Sequence, residues 1–108
     1  MEPDEQARVG ESEAMFRDVN ETVVHAERGT DPVVVLCECA DEFCGENLIL
    51  SRAAYEEVRS VSEYFIVAPE HVLPEIEQVV EKHSLYWVIR KLGLAGEVAD
   101  ATDPRTTE

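Results

Sequence analysis

VVVLCECADEFCGENLIL, residues 33–50, holds all three cysteines of the chain. Its opening, Val33-Val34-Val35-Leu36, is β-branched and apolar, and alternation then sets in, which predicts a strand over 33–40. Asp41-Glu42-Phe43 predicts a turn, and residues 46–50 predict the returning strand of a hairpin. Side chains alternate along a strand, so Cys37 and Cys39 point to one face and the hairpin brings Cys44 back toward them. Three thiolates at one hairpin tip supply three corners of a tetrahedral metal site. The plainer reading is three small hydrophobes in a strand pair. Every cysteine falls in this one window, separated by Glu38, Glu42 and Phe43, which do not read as a core run; that argues for ligands. The Cys-x-Cys-x4-Cys spacing differs from the commoner Cys-x2-Cys.

The fourth corner is assigned to His71, in APEHVLPEIE, directly after a predicted strand at 64–68. His83 falls at a predicted turn and reads as solvated; His25 lies on the polar flank of a helix. Asp41 and Glu42 are the carboxylate alternatives, which are less usual in structural zinc sites. The expected site is therefore zinc on Cys37, Cys39, Cys44 and His71.

Around this hairpin, residues 1–10 read as disordered and residues 11–28 as an amphipathic helix. Met15, Val19, Val23 and Ala26 form its stripe, widened by Phe16 and Val24, and Gly29 stops it. The stripe packs on the domain or pairs with a second copy, giving a possible homodimer through 11–28. Ser51 predicts an N-cap for a helix over 52–61, with Leu50 and Tyr55 as a hydrophobic staple. Within 75–91, the Tyr86-Trp87-Val88-Ile89 run is strand-like, and a hairpin turning at 83–85 is preferred. Gly93 and Gly96 loosen the chain, and residues 97–108 read as a flexible acidic tail. The fold class is α+β: a small antiparallel sheet in ββαβββ order, with a metal site at its first hairpin, an N-terminal helix, and a zinc-stabilised domain over 33–92.

The chain has 108 residues, the size of one small domain, and small cores often need a staple. An odd cysteine count leaves one thiol over if disulfides are the staple. The acidic start MEPDEQARVGESE has no apolar stretch, so no leader is expected, and no segment approaches the roughly 18 apolar residues of a membrane span. Cytoplasm is the expected compartment, and clustered cysteines there read as metal ligands. With 24 acidic against 9 basic residues, a net charge of −15 is spread along the whole chain. Such a surface repels nucleic-acid phosphates and anionic lipid and suits a basic protein partner.

Four protein ligands leave no open position for water or substrate, so the centre is structural or redox-active, not hydrolytic. The zinc-deaminase pattern, Ser-His-Asp, P-loop and dinucleotide signatures are absent. The leading expectation is a non-enzymatic zinc-binding domain serving protein interaction or regulation. The alternatives are a redox-responsive zinc-thiolate regulator and a small enzyme using an open metal or Cys44 beside His71.

The series FRDVNE, LCECADEFCGENLILSRAAYEEVR, FIVAPEH, PEIEQVVEKH and WVIRKLGLAGEVADATDPR resembles a family of small uncharacterised proteins of high-GC Gram-positive bacteria. The resemblance spans roughly residues 15–105. It implies a recurring Cys37, Cys39, Cys44 and His71 with a shared role, and it carries no established activity. Glu70 stands where the resembled proteins usually have glycine, and Ser84-Leu85 where they usually have Asp-Gly.

Overall fold

Pro3 at the first helical position, followed by Asp4 and Glu5, is a strong helix start: proline lacks the donor a first turn cannot use, and acids suit the positive end of the helix dipole. In the computed structural model, which describes residues 1–105, helix α1 accordingly runs over Pro3–Ala26. The expected disorder over 1–10 is thereby corrected. Gly10 lies on the inner face of α1, where a Cβ would meet Val98 Cβ at 3.3 Å. The helix ends as expected ahead of Gly29, whose φ is +83°.

The predicted ββαβββ order follows. Strands β1 (Val33–Leu36) and β2 (Asn47–Leu50) form an antiparallel ladder with Val33 opposite Leu50. Helix α2 (Arg52–Arg59) is capped by Ser51, whose Oγ accepts from Ala54 N at 3.1 Å. Strand β3 (Tyr64–Val67), β4 (Glu77–Lys82) and β5 (Trp87–Lys91) make a second antiparallel sheet in the order β3-β5-β4. The fold is thus α+β, with its strands split into two small sheets rather than one. The β4–β5 hairpin turns where expected, with His83 N donating to Tyr86 O at 2.9 Å.

The last helix, α3 (Gly93–Ala101), replaces the expected loosening at Gly93 and Gly96 and the first part of the expected 97–108 tail. Gly96 allows close packing, since a Cβ there would stand 2.8 Å from Lys91 O. Ala95 and Ala99 are fully buried, and these small residues let α3 approach α1. Arg105 is tied to Glu21 and Glu56. Residues 106–108, the end of that tail, lie outside the described residues.

The inner face of α1 also differs from expectation. It carries Gly10, Glu13, Ala14, Arg17, Asn20 and Val24, while Met15, Val19 and Val23 face out. Arg17 donates to the carbonyls of Ser62 (2.7 Å) and Ala99 (3.0 Å) and lies over the Phe65 ring. Glu13 shares the ammonium of Lys91 with Glu77, all three in the interior. Glu13, Arg17 and Asn20 each have a polar partner, although Glu13 Oε2 and Arg17 Nε have none, and those partners are why a polar face can be the inner one.

Candidate metal centre

β1 ends at Leu36, so Cys37 and Cys39 lie just past the strand rather than within it. They still converge because backbone bonds continue. Cys37 N donates to Glu46 O at 2.8 Å, and Glu38 N donates to Ile66 O at 2.8 Å, which turns the chain away from β2 and toward β3. Asp41 caps the next turn: its Oδ1 accepts from Phe43 N at 2.9 Å, and its carbonyl accepts from Cys44 N at 3.0 Å. Gly45, with φ +64°, then feeds β2. His71 arrives from the other side on the turn Ala68-Pro69-Glu70-His71, closed by His71 N donating to Ala68 O at 3.0 Å.

Proline second and a positive φ third are the marks of a type II turn, and Glu70 holds φ +72°. That conformation suits glycine.

The three sulphurs and a ring nitrogen of His71 all lie within 4.8 Å of one another, close enough to hold a metal ion. His71 Nδ1 is 3.6 Å from Cys37 Sγ and 3.5 Å from Cys44 Sγ. Its other nitrogen, Nε2, faces Glu46 Oε2 at 3.2 Å. A carboxylate on the far nitrogen fixes the tautomer that leaves the near one free to ligate. Ala68 N donates to Cys37 Sγ at 3.1 Å and the Asp41 carbonyl accepts from Cys39 Sγ at 3.7 Å. Burial pushes the thiols of Cys37 and Cys39 up, and the crowding of sulphurs adds to the shift at Cys37. Three thiolates in this space need a cation to stabilise them.

These four residues are legible in the sequence, whereas the groups that hold them come together only in the fold. Glu38, between two of the cysteines, is wholly buried. Its carboxylate accepts from Arg59 Nη2 at 2.5 Å, Asn20 Nδ2 at 2.7 Å and Ile66 N at 3.0 Å, joining α2, α1 and β3 behind the centre. Asn20 also grips the free edge of β1, with Nδ2 donating to Leu36 O and Oδ1 accepting from Leu36 N at 2.8 Å. A glutamate flanked by cysteines offers no local hint of burial; its partners lie 18 to 28 residues away. His25 and His83 are outside the cluster; His83 stacks on Tyr86 and pairs with Glu81. Asp41 and Glu42 are not members of it either.

A cavity of about 230 Å³ opens beside the cluster, lined by Cys39, Ala40, Asp41 and Glu70 to Leu73. No helix among the described residues is long and apolar enough to cross a membrane. Compared with known proteins, the chain matches no family model, no curated protein and no solved structure.

Proposed function

We propose that the protein is a non-enzymatic zinc-binding domain, in which a closed Cys3His centre shapes a surface for protein interaction in the cytoplasm. The observation that carries this reading is the spacing of the ligand atoms. With Zn–S near 2.3 Å and Zn–N near 2.0–2.1 Å, the S···N edge of a regular tetrahedron is roughly 3.6 Å. Two of the three edges at His71, those to Cys37 and Cys44, are 3.6 and 3.5 Å, and all four ligand atoms lie within 4.8 Å of one another. Soft thiolates and an imidazole favour zinc over hard cations such as magnesium or calcium. Four protein ligands fill the coordination shell, which supports a structural role over catalysis.

The test is metal content by mass spectrometry of untagged, reduced protein, wild type and His71→Ala. About one zinc per chain, lowered or made readily chelatable by the substitution, is the expected result. Metal-free wild type that folds with the same stability would remove the reading. A second reading, redox response, draws support from Cys44, the one thiol of the three that is not fully buried. Peroxide would oxidise two zinc-bound thiolates to one disulfide, giving two hydroxides and free zinc. Zinc release reversed by dithiothreitol favours that reading; zinc retained under mild peroxide excludes it.

A further inference from the structure

Helix α1 is built inside out. Its apolar residues Met15, Val19 and Val23 are 55%, 42% and 39% exposed, while Glu13, Arg17 and Asn20 occupy the inner face. A surface helix ordinarily turns its apolar stripe inward. Asn20 marks the boundary, because it grips the outer edge of β1. Going one way around the helix from Asn20 the residues enter the core; going the other way lie Val23 and Val19. The β1–β2 ladder also carries exposed apolar residues, Val34 and Ile49, which stand opposite each other, each 48% exposed.

The metal loop closes the far end of this surface. Arg8, Val9, Glu11, Ser12 and Met15 of α1 line one cavity together with Ala40 and Glu42 of the loop. Between Glu42 and the ligand Cys44 stands Phe43, 88% exposed, its backbone fixed by Asp41. An exposed aromatic on a clamped loop beside an apolar helix stripe has the make-up of a binding hot spot.

We propose that this face docks a basic amphipathic segment of another protein. Its apolar ridge covers Met15, Val19 and Val23 against Phe43, and its lysines or arginines meet Glu11, Asp18 and Glu42. The proposal rests on the zinc reading above, since the metal is what presents Phe43. The occupant follows from charge. Glu11 and Asp18 flank the stripe along α1 and Glu42 borders it on the loop, three acids against the single base Arg8, and all four are exposed on a chain of net charge −15. A second copy docked antiparallel about Val19 sets Glu11 against Glu27; docked parallel it sets Glu11 against Glu11 and Asp18 against Asp18. Self-association on this face therefore juxtaposes like charges, whereas a basic partner neutralises them.

The probe is a fluorescein-labelled peptide of about 18 residues, five helical turns, with leucine on one face and lysine elsewhere. Its control has the same composition in scrambled order. Zinc-loaded full-length protein is expected to bind the amphipathic peptide at least about tenfold more tightly than the scrambled one. Val19→Ser and Phe43→Ala each weaken it by about tenfold or more, while Leu85→Ser, at the exposed β4–β5 turn, does not. Equal affinity for the two peptides, or indifference to Val19→Ser and Phe43→Ala, overturns the proposal. So does sedimentation showing a wild-type dimer that Val19→Ser makes monomeric, because the occupant is then a second copy. Zinc per chain is read on the same samples. Tight, variant-sensitive binding by folded, metal-free protein overturns the zinc reading and leaves the docking face standing.

Discussion

Two residues around the centre are held against their ordinary preferences, and each gives a prediction. Glu70 occupies the left-handed region at φ +72°. That conformation costs an L-residue about 1–2 kcal/mol, and glycine removes the cost while adding roughly 0.4–1 kcal/mol of unfolded-state entropy. Glu70→Gly is therefore expected to gain about 0.5–1 kcal/mol, seen as a Tm rise of about 4 °C in a thermal melt. An unchanged or lower Tm would show that the Glu70 side chain contributes more than its strain costs. Glu38 is the opposite case: a charge taken out of water because three donors surround it. Removing one partner of a buried ion pair costs about 3–5 kcal/mol, since the other is left uncompensated. Glu38→Gln is expected to lose about 3 kcal/mol in urea unfolding and to hold zinc less tightly, with part of the loss restored by adding Arg59→Met. A loss under about 0.5 kcal/mol would mean that Arg59 finds solvation elsewhere.

At the scale of elements, local chemistry was the legible part. The Ser51 cap, the Gly29 stop, the β4–β5 turn and the strand order are all written in short windows of residues, and the structure has them. Helix α1 was misread for a physical reason. Periodicity assumes that the inner face is the apolar one, yet the partners that make Glu13, Arg17 and Asn20 buriable come from β4, β5, α3 and β1, far along the chain. The same burial gives α1 a pH dependence. Glu13 faces Lys91 on β5 and Glu77 on β4, and burial pushes its carboxyl up to about 9, the nearby Glu77 adding to the shift and Lys91 opposing it. The folded state then holds a proton that the unfolded chain releases near its ordinary value of 4.5. Folding binds protons between those limits, so this group's share of stability falls as pH rises from about 4.5 to about 9 and is level outside that window. The slope is at most about 1.4 kcal/mol per pH unit. Glu13→Gln, neutral throughout, is expected to flatten the decline in urea midpoint across that window. A parallel decline in both proteins would assign the slope to other groups.

Across the whole molecule, the cluster sits where the two sheets meet. The cysteines come from the connection between β1 and β2, the histidine from the turn after β3, and Glu38 ties that connection to Ile66. The three-cysteine window was legible because ligands gather in sequence before they gather in space. The supporting groups were not, because Asn20 and Arg59 reach the site only through the fold. This arrangement predicts how far the loss of metal spreads. The β3–β5 ladder keeps its own core of Phe65, Ile66, Val67, Val88 and Ile89, none of which has exposed surface. Within the knuckle 37–46 and the turn 68–71, Cys44 and His71 are only partly buried and Phe43 is open to water. Chelation is therefore expected to open these segments first, a local unfolding in one cooperative unit. In hydrogen exchange, the amides of Cys37, Cys44 and His71, and that of Ile66, which donates to Glu38, should speed up by about a hundredfold or more, equivalent to about 2.7 kcal/mol of local stability, while those of Val88 and Ile89 on the central strand β5 stay protected. Uniform loss of protection would make the metal a requirement for the entire fold, as in small zinc fingers. No loss anywhere would mean that Glu38 and its partners hold the knuckle by themselves, and the cluster would then need a role other than structural.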